Sequence, residues 1–436
     1  MVAAIIITVP HETMLSHRYH PHIRLFPLYY VSLLVNSTFN CSFDLNNEAE
    51  MYRTIVRIPI VPGCHLKPGP IVQNNKCYND NLAIDLEHIN LDAKEIWSRR
   101  AHILATGART STDKTMFDLL SKLVIQSDKD LKEQFVTLSK DNYPTNVYKM
   151  AALTVDNQRD ETKKINEWFL EKSSTNQIGR MLDDNELTSD IKLLSLNGAG
   201  FKGAWKGNPF DTKDTKDDTF NNVDGKTSKI AFMYAMNKPF RMVKEVDDKI
   251  LAIELPFTDH EGAEGHKHGT KLVVIMPTDD NTVDKTIDSL EREKLTNLMD
   301  KLFKSDRKKP EQLKFPKLNF EKDYELKEAL SELNVKGLFS QADANFSQMV
   351  QGTDLSKPEI FLSQLDHKAV IQWTEDSDKK DDSEPMPSSN DESVAIDKPF
   401  IFFIVDKPMD EQIDKPMIIF AGRIKTLTKD TAFSFN

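Results

Sequence analysis

The sequence predicts an α+β protein built on a large mixed or antiparallel sheet. Three observations carry that expectation. Short apolar runs bounded by polar turns mark strands, segments with apolar residues at helical spacing mark helices, and the two kinds come in blocks without strict strand–helix alternation. At 436 residues the chain is long enough to bury a substantial core. A net charge of −11 disfavours a general nucleic-acid binder, which needs a basic face to displace counterions. With only 15 glycines, glycine-rich and collagen-like architectures are excluded.

Residues 1–77 read as an N-terminal extension unlike the rest. Met14-Leu15-Ser16-His17-Arg18 gives a basic lead, and Leu25 to Val35 is an apolar run of 11 residues, the layout of a secretory signal begun from an internal methionine. Asn36-Ser37-Thr38, Asn40-Cys41-Ser42 and, far downstream, Asn345-Phe346-Ser347 are glycosylation sequons. Together they predict an extracellular glycoprotein. No apolar run reaches the roughly 18 residues of a membrane span. All three cysteines, Cys41, Cys64 and Cys77, fall in this stretch, so the remainder needs neither disulfides nor a thiolate metal site.

From residue 78 to about 430 the patterns become regular. Val147 to Val155 reads as a strand, and Lys163 to Leu170 as a helix. Strands follow at Ile191 to Leu196, Ile250 to Leu255 and Lys271 to Met276. Amphipathic spacing predicts helices over Lys285 to Phe303 and Tyr324 to Val335. The last strands are Ala369 to Trp373, Phe400 to Val405 and Met417 to Gly422. Between two of these strands lies Thr374 to Ser393, TEDSDKKDDSEPMPSSNDES, whose only large apolar residue is Met386. It is expected to be a long exposed loop, of the kind that in compact domains is usually functional or disordered.

Several motifs resemble catalytic sites and fail on context. Gly198-Ala199-Gly200-Phe201-Lys202-Gly203 matches a dinucleotide fingerprint, but Ala204-Trp205-Lys206-Gly207-Asn208-Pro209 cannot open the helix that must follow. His260, His266 and His268, with nearby acids, read as a solvated hairpin tip in preference to a metal site. The cations from Lys301 to Lys314 read as a solvated helix end. There is no nucleophile elbow, P-loop or Cys-x-x-Cys pair. The chain is therefore expected not to be an enzyme and to need no metal or cofactor.

The C-terminal blocks nevertheless resemble a known family. Val394-Ala395-Ile396-Asp397-Lys398-Pro399-Phe400-Ile401-Phe402-Phe403-Ile404 is similar to the signature of the serpins, the serine protease inhibitors, and Ile419-Phe420-Ala421-Gly422-Arg423-Ile424 to their closing strand. Asn197 to Trp205 resembles their N-A-x-x-F-K-G-x-W strand, which accounts for the false fingerprint. Ile165 to Trp168 resembles the helix lying across the main sheet, and Phe257 and Val274 to Pro277 resemble two further strands. His367-Lys368-Ala369 resembles the strand that leads into the reactive loop.

The resemblance implies three β-sheets, about eight or nine helices and an exposed reactive-centre loop, here 374–393. It implies an activity too. The protease cleaves the loop and is trapped as an acyl-enzyme while the loop inserts as a new central strand. Ser98, Asn197 and His367 would form a polar cluster beneath the sheet opening, and Lys317 would pair with Glu375 at the loop's base, beside Trp205. These residues would control insertion and catalyse nothing. The implied partner is a serine protease and the implied state a monomer; the alternative is a non-inhibitory binding or carrier protein, or a loop that is merely cut.

The hinge departs from the family's run of small residues. It reads Glu375-Asp376-Ser377-Asp378-Lys379-Lys380-Asp381-Asp382-Ser383-Glu384. Alternate side chains of an inserted strand face the core, which would bury Asp378, Lys380, Asp382 and Glu384. Even with Lys380 paired, the penalty is on the order of 5 to 10 kcal/mol. Pro385 and Pro387 would also remove donors from a central ladder. The hinge therefore predicts poor trapping. The candidate cleavage region is Met386-Pro387-Ser388-Ser389-Asn390-Asp391, with nothing basic or aromatic to attract a trypsin-like or chymotrypsin-like protease. Two body segments also depart from the family. The central helix between Ser98 and Gly107 is expected to be short, and a helix and an edge strand are expected to be missing between Val155 and Glu161.

Overall fold

The computed structural model describes residues 3–6, 114–126, 130–142, 145–173, 178–261, 267–278, 282–290, 292–332, 337–344, 346, 349–351, 360–378, 392–408 and 417–429. Among them, 17 strands form three sheets, and five α-helices pack on or beside these.

The main sheet has five strands, and its centre is set by two long neighbours. β4 (Leu193–Trp205) is almost wholly buried, because its apolar residues occupy both faces and its glycines leave room for what lies against it. A methyl group added at Gly203 would overlap the Phe257 ring. β14 (Leu362–Ser377) runs parallel to β4, in register from Leu362 opposite Leu193 to Ser377 opposite Trp205, with irregularities near each end. β13 (Leu318–Glu325) flanks β14 antiparallel. On the other side, β2 (Met116–Gln126) is antiparallel to β4, and β3 (Thr145–Met150) is parallel to β2 at the edge.

One face of this sheet carries α2 (Gln158–Lys172) and the segment after it. Ile165, Phe169, Ile178, Leu182 and Leu187 pack there on Val124, Leu194, Leu196 and Val370. The other face meets an eight-stranded antiparallel sheet through Ala199, Phe201, Ile371 and Trp373 against Phe402, Ile404 and Phe420. The strands of that second sheet are β1 (Ala3–Ile6), β7 (Phe240–Glu245), β8 (Ile250–Pro256), β9 (His260–Glu261), β10 (Lys267–Pro277), β11 (Arg307–Lys308), β16 (Phe400–Pro408) and β17 (Met417–Ile424). A third sheet orders β15 (Val394–Ala395), β12 (Gln312–Pro316), β6 (Thr227–Met236) and β5 (Lys216–Asn221).

Several sequence expectations are corrected here. The helix expected over Lys285 to Phe303 is two: α3 (Val283–Ser289), capped by the Thr282 hydroxyl, and α4 (Arg292–Lys304). Leu290 lies between them with non-helical ψ of 66°. Tyr324 and Glu325 belong to β13, not to a helix, because pairing with His367 and Asp366 overrides their helical spacing; α5 (Lys327–Glu332) begins only after them. The helix and edge strand thought to be missing are present earlier in the chain, as α1 (Glu133–Asn142) and β3. The strand expected over Val147 to Val155 begins within β3 but leaves the sheet after Met150, which is why α2 follows so soon. Gly198 to Gly203 lie wholly within β4, with no helix after them. Ala3–Ile6 of the N-terminal extension pairs with β17. The cysteines, Met14 to Val35 and the segment 98–107 lie outside the described residues.

Candidate functional site

The seam between β4 and β14 is where an inserting strand would have to enter, and its middle and its end are built differently. In the middle, Asn197 faces His367 across the ladder. Ser121, on β2, donates to Asn197 Oδ1 at 2.9 Å, and Asn197 Nδ2 reaches Ser195 Oγ at 3.3 Å and the Asp366 carbonyl at 3.5 Å. His367 is 5% exposed, and neither ring nitrogen has a hydrogen-bond partner among the described residues. Burial lowers its pKa to about 4, so the ring is neutral at physiological pH. Next to it, Asp366 is pushed up to about 7 by burial and by the charge of Glu186, with smaller contributions from Glu325 and Asp323, against a stabilising bond from Gln364. Ser98 lies outside the described residues, so the trio expected from sequence is placed here only as Asn197 and His367. Ser121 was missed; a serine in an ordinary strand gives no signal until the neighbouring strand is known.

At the end of the seam the chemistry is ionic. Trp205 is fully buried and stacks on Phe257 at 4.6 Å, and its indole N–H donates to the Thr374 carbonyl at 2.5 Å. Lys317 Nζ lies 2.8 Å from Glu375 Oε2, and the Thr215 hydroxyl donates to Glu375 Oε1 at 2.5 Å. Burial alone would raise the Glu375 carboxyl, but the hydrogen bonds from Lys317 and Thr215 prevail and hold it below the usual range. Asp376 is solvent-facing, with Lys202 Nζ at 3.5 Å. Ser377 Oγ donates to Asn208 Oδ1 at 2.6 Å, and Lys114 donates to the Ser377 carbonyl. Beyond it, the Asp378 N–H donates to the Trp205 carbonyl at 3.0 Å, and the Gly207 N–H donates to Asp378 Oδ1 at 2.8 Å. Gly207 adopts φ of +77°, a left-handed conformation that suits glycine and turns its N–H back over the end of β4.

Lys379, Lys380, the candidate cleavage residues Met386, Pro387, Ser388, Ser389, Asn390 and Asp391, and the sequons at Asn36, Asn40 and Asn345 lie outside the described residues. The chain is described again from Glu392, and β15 pairs parallel with β12, so the loop is anchored to two different sheets. The histidine side chains expected at a hairpin tip also lie outside, although the backbone of His260 pairs with that of His268. Among the described residues no group of three His, Cys, Asp or Glu side chains is placed to hold a metal ion, and no helix is long and apolar enough to cross a membrane.

Comparison with known proteins gives a consistent family. The family model described as "Serpin (serine protease inhibitor)" matches residues 78–426. The chain is 28% identical to the leukocyte elastase inhibitor of Bos taurus over 321 residues, covering 71% of this chain and 77% of that protein. It is also 28% identical to the leukocyte elastase inhibitor of Xenopus tropicalis, over 56% of this chain and 62% of that protein. Among solved structures, Arabidopsis AtSerpin1 in its native stressed conformation is similar with a TM-score of 0.63 at 19% identity, covering 78% of this chain and 84% of that one, a likeness of fold. With three sheets in this arrangement, a long segment leaving β14 and a family match across most of its length, this chain belongs to the serpin superfamily.

Proposed function

We propose that this serpin presents residues 379–391 to a serine-type endopeptidase as bait, and that cleavage outruns trapping. The observation that supports this reading is the closed seam. β4 and β14 are paired from Leu193 to Gly203 and, after an irregularity, again where Trp205 meets Ser377, and the residues that would have to enter between them begin with Asp378. An acyl-enzyme survives only if insertion is faster than its hydrolysis. If as little as about 3 kcal/mol of the burial penalty of the charged hinge is felt in the rate-limiting step, insertion slows more than ~100-fold. The protein then behaves chiefly as a substrate of the enzyme it engages.

The target class is suggested by the loop, whose candidate cleavage region Met386 to Asp391 offers small and polar side chains, and by relatives named as elastase inhibitors. Incubation with an elastase-type protease should give a loop-cleaved chain and little or no covalent band after boiling in detergent. A stoichiometric covalent complex would overturn the reading. We also place the protein outside the cell, on the strength of the segment Met14 to Val35 and the sequons at Asn36 and Asn40. Retention in the cell pellet when the full chain is expressed in a eukaryotic host would refute that placement.

A further inference from the structure

We propose that Asp378 is a latch, a positioning residue that ties the loop's departing arm to the end of β4 and keeps the seam shut. Two bonds from one residue make the tether. Its own N–H continues the ladder by one step onto the Trp205 carbonyl, at 3.0 Å. Its carboxylate then accepts the Gly207 N–H at 2.8 Å, a donor that β4 leaves without a strand partner because the chain turns there. The backbone bond alone would suit an inserting strand, since it places the first hinge residue against β4. The side-chain bond opposes that motion: a carboxylate satisfied at the rim must give up a charge-assisted donor before it can pass beneath the sheet.

The neighbouring contacts supplement the tether unequally. Ser377 Oγ donates to Asn208 in the same turn at 2.6 Å, so consecutive hinge residues hold one two-residue corner. The Lys202 to Asp376 pair is long, at 3.5 Å, and Asp376 is 58% exposed, so its contribution should be small. Glu375 is already held from below by Lys317 and Thr215. What distinguishes Asp378 is that, one residue past the end of β14, its backbone and its side chain both bond to the end of β4, so its tether fixes where the arm leaves the body. A methyl side chain at this position would leave the Gly207 donor to solvent and the arm held only by the backbone bond to Trp205 and by Ser377.

This inference rests on the proposed bait function, because a latch matters only if the seam could open. Its test is independent of trapping. In the full-length protein, amide hydrogen exchange at Gly207 and Asp378 should be measured for the natural chain and for Asp378→Ala, Asp378→Asn and Asp376→Ala. The Ala variant at 378 should speed exchange at Gly207 by about tenfold or more, the usual weight of a hydrogen bond to a charged acceptor. The Asn variant, whose side-chain oxygen can still accept, should stay close to the natural chain, and Asp376→Ala should change little. In Asp378→Ala the amides at the end of the seam, Trp205 and Ser377, should also exchange faster, and unchanged exchange there would refute the claim that the latch keeps the seam shut. Amides of residues 193–200 should be unaffected in all three, which reports that the fold is intact. If Gly207 exchanges freely in the natural chain, or equally slowly in Asp378→Ala, the latch is refuted. A covalent complex with a protease would refute the bait reading and leave the exchange result standing.

Discussion

The middle and the end of the seam between β4 and β14 hold the same two strands together by opposite means. In the middle, charge is suppressed: His367 is buried and neutral, Asn197 is satisfied by Ser121 and backbone, and Asp366 is held toward its protonated form. At the end, charge is the fastening, with Glu375, Asp376 and Asp378 each given a cation or a backbone donor. The middle should therefore respond to volume and pH, and the end to the removal of individual partners. A strand inserted between the two would meet desolvation in the first region only after breaking ionic contacts in the second.

The sharpest way to break the comparison is at the boundary between the regions. Trp373 is fully buried, and its indole N–H donates to the Pro316 carbonyl at 3.0 Å. Trp373→Ala should cost about 4 kcal/mol, read from chemical denaturation, because it leaves a cavity and an orphaned carbonyl. A loss below about 1 kcal/mol would show that the interior of the seam is not tightly packed.

The second prediction uses two adjacent titrating groups whose effects oppose. His367 has a folded pKa of about 4 against 6.5 unfolded, so its stability contribution is lost as pH falls through that window. Asp366, raised from 3.8 to about 7, loses its contribution as pH rises. Between about pH 4 and 6.5 the folded state holds the Asp366 proton while the unfolded state holds the His367 proton, so the pair adds almost no slope. Asp366→Asn should unmask a fall of about 3 kcal/mol from pH 6.5 down to 4, and His367→Gln a fall of similar size in the opposite direction. Parallel pH profiles for the two variants would refute the assignment.

Smaller effects are expected at the end of the seam. Lys317→Ala should cost about 2 kcal/mol by leaving Glu375 buried without its cation, and adding Glu375→Gln to it should recover much of the loss. Failure of the second change to recover stability would mean that the pair acts through packing. Smallest of all, Asp376→Asn should shift stability by less than about 0.5 kcal/mol, since its pair with Lys202 is long and solvent-facing.

How much of this was legible in the sequence follows the same division. The blocks that packing dictates, such as Phe400 to Ile404 and Asn197 to Trp205, carry their pattern in consecutive residues and could be read directly. Periodicity failed where tertiary pairing overrode it. Tyr324 and Glu325 fit a helix locally but lie opposite His367 and Asp366 in a sheet, and Leu290 interrupts what spacing alone makes one helix. The charged hinge was visible as composition, and so was the Lys317 to Glu375 pairing through family resemblance. The contacts of Ser121, Thr215 and Gly207 were not, because each joins residues more than 75 positions apart and depends on strand order. The supposed missing strand shows the remaining weakness: a strand read without its neighbours cannot be assigned to the edge or the interior.

The central claim is that the seam stays closed even when the loop is free to enter it. The direct test is the thermal melt of the purified protein before and after nicking the loop between Asp376 and Glu392. The charged hinge and the tether at Asp378 predict a transition that moves by no more than about 3 °C, equivalent to roughly 1 kcal/mol. A rise of roughly 20 °C or more on cleavage would mean that the loop had entered the sheet, and that its charges had found partners there that the closed seam does not show.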